Sequence, residues 1–322
     1  MTEMLTYRLR LLGPIYVGQI HEDKIRTAEE QIGGNPNQAP PRFRSRRTTA
    51  LLGYLVVEQR PIARDRLTAL FWPDWSASRG RANLRRDLHN LTQILPGCWE
   101  LTRRSVSFVP PENVTVDIYQ LEELVASEQW VAASELLGGN FLEGLSLENN
   151  SEFENWLQTE RARWQGVTEV VLRQVIERQV WRGHYAEALL HSRKLLQIAP
   201  WDEDTHQQVM RLLTWTGQRG AALRQFENCK QALREELDVE LASETITLHQ
   251  QIQDGKLDLP PQLPPFLTEE RARHEFERTP FVGREDELER LDGFIDTALA
   301  GQGSVVFITG GPGRGKTALL ET

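Results

Sequence analysis

Trp75–Leu95, WSASRGRANLRRDLHNLTQIL, is the stretch whose reading decides the fold. At 100° per residue, Leu84, Leu88, Leu91 and Leu95 fall on one narrow stripe, the core side of an amphipathic helix. Nearly opposite runs a second stripe of Arg79, Asn83, Arg86 and Asn90, with His89 and Gln93 beside it and Arg81 and Arg85 flanking the two faces. Arg and Asn are the side chains that hydrogen-bond guanine and adenine bidentately, and a major groove admits a helix. Those four residues are therefore the expected base-facing set. An ordinary solvated surface helix carries the same two stripes, so the neighbouring sequence has to separate the readings.

Composition does separate them. The 322 residues are enough for two or three domains, and the net charge of −9 does not by itself point to nucleic acid. Yet Arg42 to Arg104 holds 13 arginines, no lysine and 5 acids, a net of +8, which leaves −17 for the remainder. A basic island on an acidic chain is the electrostatic footprint of a DNA-binding module. Within it, Arg44, Arg46 and Arg47 precede a helix start, a common place for phosphate contacts, and join Arg81, Arg85, Arg103 and Arg104 as the expected phosphate set. Cys98 and Cys229 offer neither a disulfide framework nor a metal-ligand cluster, which fits a reducing cytosol. With no apolar run of membrane-spanning length and no signal-peptide core, a cytoplasmic, nucleoid-associated protein is expected.

Outward from the organising stretch, Leu5–Val17 alternates apolar and polar residues around a Gly13-Pro14 break and reads as short antiparallel strands. Residues 21–41, rich in Gly and Pro, read as a surface loop. An apolar helix over Thr48–Glu58 and a short one over Arg64–Trp72 come next, the second with Leu67, Leu70 and Phe71 inward. After the organising helix, CWELTRRSVSFV forms two alternating runs that meet at Arg103-Arg104, a β-hairpin. Strands, three helices and a terminal hairpin are the winged helix-turn-helix order, with the last helix in the major groove and the hairpin on the backbone or minor groove.

SRRTTALLGYLVVEQRPIARDRLTALFWPDWSASRGRANLRRDLHNL resembles the DNA-binding domain of the Streptomyces antibiotic regulatory protein family, relatives of the OmpR-type winged helix, over about Ser45–Leu95. Family hairpins usually carry a Gly-Tyr pair where this chain reads Arg103-Arg104-Ser105-Val106. Without Gly a tight two-residue turn is disfavoured, so a looser wing is expected.

From Tyr119 the chain is helical and acidic, and it repeats. Trp181 and Trp215, Gly183 and Gly217, Ala188 and Ala222, and Leu189 and Leu223 each lie 34 residues apart, the tetratricopeptide period. Trp156, Trp164, Trp181 and Trp201 are expected in the core rather than as stacking surfaces for a ligand. Gln120–Ile252 resembles the bacterial transcriptional activation domain, through NFLEGLSLENNSEFENWLQTERARW, HYAEALLHSRKLLQIAPWDEDTHQQVMRLL and ALREELDVELASETITLHQQI in that order. The resemblance implies dimerisation and transcription activation, with RNA polymerase as a partner.

LPPQLPP at Leu259–Pro265 reads as a semi-rigid linker. FVGRE and a helix then lead to a strand at Val305–Thr309 and GGPGRGKT, in which Gly310, Gly315, Lys316 and Thr317 satisfy GxxxxGK[ST]. The glycines let backbone N–H groups close on phosphates, Lys316 neutralises them and Thr317 would hold Mg²⁺. No Walker-B carboxylate follows within the chain, so a truncated module is expected, with ATP and Mg²⁺ relevant only to a longer protein.

The expected fold is mainly α with a small β component. It comprises a winged helix-turn-helix at 1–116, a tetratricopeptide-like repeat domain at 117–256, a linker at 257–279 and a truncated α/β P-loop stub at 280–322. The expected function is a sequence-specific DNA-binding transcriptional activator, homodimeric on direct repeats of double-stranded DNA, and not an enzyme in this chain. The alternative is a nucleotide-dependent signalling ATPase switch in which DNA binding is secondary.

Overall fold

The computed structural model describes residues 6–20, 43–258, 285–299 and 306. The loop expected at 21–41, the linker beyond residue 258 and the P-loop residues Gly310, Gly315, Lys316 and Thr317 lie outside them. The chain forms two compact units, residues 1–173 and 174–322.

The first unit opens with β1 (Thr6–Arg10) and β2 (Tyr16–Ile20), paired antiparallel. Helix α1 (Arg46–Glu58), strand β3 (Ile62–Ala63) and helices α2 (Arg64–Phe71) and α3 (Ala77–Ile94) follow, then β4 (Trp99–Leu101), β5 (Ser105–Phe108) and β6 (Val114–Val116). Two three-stranded sheets result, β2-β1-β6 and β3-β5-β4. The first closes by a parallel pairing of β6 with β1, and the second is the wing.

Local chemistry explains the helix limits. Ser45 caps α1 by accepting the Thr48 N–H at 3.1 Å, so the helix starts two residues earlier than the apolar run alone suggests. It ends at Gln59, in the left-handed region with φ 45°, just before Pro61. Helices α2 and α3 approach at Gly80, where any Cβ would collide with the Thr68 methyl. Leu51, Leu52, Leu55, Leu67, Leu70, Leu84, Leu88 and Leu91 fill the space between the three helices, all of them buried.

The same core continues past residue 116. Helices α4 (Asp117–Ala126), α5 (Trp130–Glu135) and the first part of α6 (Ser151–Trp181) belong to the first unit, which ends inside α6 at residue 173. Packing therefore divides the chain later than hydrophobic periodicity does. The buried Asp117 carboxylate accepts the N–H groups of Leu11 and Leu12 at 2.7 and 2.8 Å. Asn150 Nδ2 donates to the Leu70 carbonyl at 2.8 Å, and Trp156 and Phe153 meet Tyr54 and Phe71 with ring centroids 4.9 and 5.5 Å apart. Arg161 donates to the carbonyls of Phe141, Leu142 and Leu145, which fixes the 138–147 loop.

In the second unit, α7 (Tyr185–Ile198), α8 (Glu203–Trp215), α9 (Arg219–Glu236) and α10 (Ser243–Asp254) pack in sequence against one another, and α11 (Glu285–Leu299) follows. The 34-residue period is visible in the backbone. Gly183 and Gly217 have φ of 72° and 77°, a region open to glycine at no steric cost. His184 N–H reaches the Gln179 carbonyl, and Gln218 N–H reaches that of Leu213, 34 residues on. Ala188 and Ala222 are both fully buried where the helices cross. The tryptophans divide. Trp164 is enclosed and stacked on Phe141, whereas Trp181 and Trp201 are 45% and 40% exposed, against expectation. Trp181 is the last residue of α6, and Trp201 lies in the turn before α8.

Candidate nucleic-acid interface

Helix α3 buries Gly80, Leu84, Asp87, Leu88, Leu91 and Ile94. Gly80, Asp87 and Ile94 extend the inward face beyond the leucine stripe and turn the helix by roughly 30° from the orientation that stripe implies. The outermost line is consequently Arg85, Arg86, His89 and Gln93, all exposed. Gln93 and His89 are joined by a side-chain hydrogen bond at 3.2 Å.

The four residues expected to face bases do not share one fate. Arg86 is exposed, and Arg79 is exposed with its guanidinium 4.0 Å from the Trp75 ring centroid. Asn83 is half-buried and donates to the Arg79 carbonyl at 3.2 Å. Asn90 is half-buried and its Oδ1 accepts the backbone N–H of Arg44 at 2.9 Å. The two asparagines thus lie at the margin of the face, and Asn90 fastens the segment that precedes α1.

The phosphate set is rearranged as well. Arg44 Nη1 donates to Asp87 Oδ1 at 2.8 Å, and the Asp87 side chain is only 3% exposed. Arg44 therefore neutralises a buried carboxylate while its own side chain stays 43% exposed. Arg47 is half-buried, with an enclosed Nε that has no partner among the described residues, while Arg46 is exposed at the start of α1. Arg81 lies 3.8 Å from Asp65 on α2. Such an exposed pair is weak and easily exchanged for phosphate.

Arg103 and Arg104 occupy the tip between β4 and β5, fully on the surface. Leu101 pairs with Val106, and Thr102 N–H donates to the Ser105 carbonyl at 3.0 Å, so the turn has two residues. The looser wing expected from the missing glycine is not what forms. A threonine side chain supplies the closing acceptor that a tight glycine turn takes from backbone.

Asn90 and Asp87 read in the sequence only as polar residues of the helix, and their pairing with Arg44 across 46 and 43 positions lies beyond any helical period. His89 and Gln93 had a visible signal in the helical wheel. Thr102 had none beyond being a hydroxyl next to a turn.

Comparison with known proteins gives two family matches. Residues 122–253 match the bacterial transcriptional activator domain, and residues 280–322 match the AAA ATPase domain. The first match begins inside α4, hence within the first compact unit. No curated protein matches the chain. Among solved structures the fold is similar to Mycobacterium tuberculosis EmbR in complex with a low affinity phosphopeptide. Identity is 16% and the TM-score 0.53, over 84% of this chain and 72% of that one. The chain thus joins a winged-helix fold to a region similar to the bacterial transcriptional activator domain and a segment similar to the AAA ATPase domain, in that order.

Proposed function

We propose that this chain activates transcription by binding duplex DNA through its first unit, with α3 in the major groove and the wing on flanking phosphates. One observation carries the reading. Asp87 is the single acid in α3, and it is turned inward and neutralised by Arg44. The outward face is left with arginines, a histidine and a glutamine, and no carboxylate to repel a phosphate backbone. Arg85, Arg86 and Gln93 are the base-reading residues in this proposal, with Arg79 at the helix start. Arg46, Arg81, Arg103 and Arg104 hold phosphates.

Base and phosphate contacts separate by mutation. Arg86→Ala should cost about 1–3 kcal/mol on the selected site and relax preference at one base pair. Arg46→Ala should weaken all sequences alike and lower the salt slope by about 1. Titrations against a randomised duplex library measure both, and identical behaviour of the two variants across sequences would sink the orientation. The repeat domain is the proposed dimerisation surface and the contact for RNA polymerase, with the protein acting in the cytoplasm at the nucleoid. Two winged helices on directly repeated half-sites need a spacing of about 10–11 base pairs. Five inserted base pairs should therefore abolish cooperativity, and unchanged cooperativity would refute the arrangement.

The match to an AAA ATPase domain at 280–322 supports a second, nucleotide-switch reading. Gly310, Gly315, Lys316 and Thr317 are its proposed ATP and Mg²⁺ ligands. In a protein carrying a whole ATPase domain, Lys316→Ala should abolish ATP binding by calorimetry. Retained micromolar affinity would remove Lys316 from that role.

A further inference from the structure

We propose that Thr102 and Arg64 are positioning residues that lock the wing tip into a preformed two-arginine claw for the DNA backbone. The inference rests on the DNA-binding reading above. A two-residue hairpin turn ordinarily needs positive φ at its central residues, which is why glycine and asparagine dominate there. Neither Arg103 nor Arg104 has positive φ. The turn is closed by side chains instead.

The donors and acceptors at the tip are fully assigned. Thr102 Oγ1 accepts the N–H groups of Ser105 at 2.8 Å and Arg104 at 3.1 Å. That leaves the Thr102 carbonyl without its usual partner across the turn, and Arg64 Nε donates to it at 2.9 Å. The Arg64 backbone N–H donates to the Arg104 carbonyl, also at 2.9 Å. Because Arg64 is the first residue of α2, the tip is tied to the helix-turn-helix as well as to its own strands.

Two consequences bear on DNA. The tip is ordered before binding, so it does not lose backbone freedom when it meets phosphate. Arg64, Arg103 and Arg104 are also brought together, and among the described residues no carboxylate pairs with any of them. Three adjacent cations repel one another in the free protein and are relieved by a phosphate. The nearest acid along the strand, Glu100, is engaged with Ser107 at 3.5 Å.

The test uses the 322-residue protein and four forms: wild type, Thr102→Val, Thr102→Ser and the double variant Arg103→Ala with Arg104→Ala. Valine keeps the shape and the charge but removes the acceptor, while serine keeps the acceptor. At 0.1 M salt one neutralised phosphate is worth about eightfold in affinity, because the slope is about 0.9 per contact. Thr102→Val should therefore bind duplex roughly tenfold more weakly, with the salt slope reduced by about 1. The double alanine variant should lose roughly sixtyfold and about 2 in slope. Thr102→Ser should bind as wild type does. Amide exchange at Ser105 should accelerate in the valine variant and not in the serine variant, with or without DNA. Wild-type affinity in Thr102→Val, alongside a weakened double variant, overturns the latch and leaves the DNA reading standing. Undiminished binding by the double variant removes the wing from the interface, and the latch with it. If wild type shows no salt-dependent duplex binding, the DNA reading itself fails.

Discussion

A chain cut after Val116 is expected not to fold, whereas one cut after Arg173 should unfold cooperatively and bind duplex DNA. The first cut follows the end of the winged helix as its strands and helices suggest it. It removes Asp117, which holds the N–H groups of Leu11 and Leu12, and Asn150, which holds the Leu70 carbonyl. Gone too are Phe141, Leu142, Phe153, Leu157 and Trp164, each at most 2% exposed. Leu142 lies against Gly53, and Phe153 and Trp156 lie against Phe71 and Tyr54. Covering one such side chain is worth about 1.5–3 kcal/mol, against a total of about 5–15 kcal/mol for a domain. Five lost together, about 7.5–15 kcal/mol, are as large as that whole total. Circular dichroism and denaturant titration of the two chains decide the matter, and a folded, DNA-binding 1–116 fragment would show that the later segment is only an accessory.

Asp117→Ala should be the most damaging single substitution in the first unit. It leaves three buried N–H groups, those of Leu11, Leu12 and Ile118, without a partner, at about 1–3 kcal/mol each and so roughly 3–9 kcal/mol in all. Asp117→Asn keeps one acceptor oxygen and should cost less. The pH dependence distinguishes the two roles of this carboxyl. Burial raises its pKa, and the N–H groups of Leu12, Leu11 and Ile118 with the charge of Arg10 only partly oppose that. The folded form thus holds its proton more tightly than the unfolded chain does. The contribution of the group to stability is greatest below the unfolded value near 3.9 and declines as pH rises through the raised folded value. Asp117→Asn should abolish that decline in a denaturant series across the acid range. A decline of equal size in the asparagine variant would assign it to another group.

What the amino-acid sequence determined by itself is everything that repeats over short distances. The leucine stripe at 84, 88, 91 and 95 specifies an amphipathic helix, alternation specifies the strands on either side of Gly13-Pro14, and a 34-residue recurrence specifies paired helices. Each signal lies within a turn, a strand or one repeat, so local chemistry suffices to express it. The arginine island likewise needs only counting.

Tertiary structure decided which face of a known element meets what. The rotation of α3 depends on Asp87 being drawn inward by Arg44, 43 residues away. The reach of the first unit depends on Asp117 meeting Leu11 across 106 residues and Asn150 meeting Leu70 across 80. The tight wing depends on a hydroxyl and on Arg64, 38 residues before the carbonyl it holds. Polar side chains look alike in a helical wheel whether they end in water or on a buried partner. Only the chain's return path supplies the partner, and a buried charge or N–H group stays buried only where one is supplied.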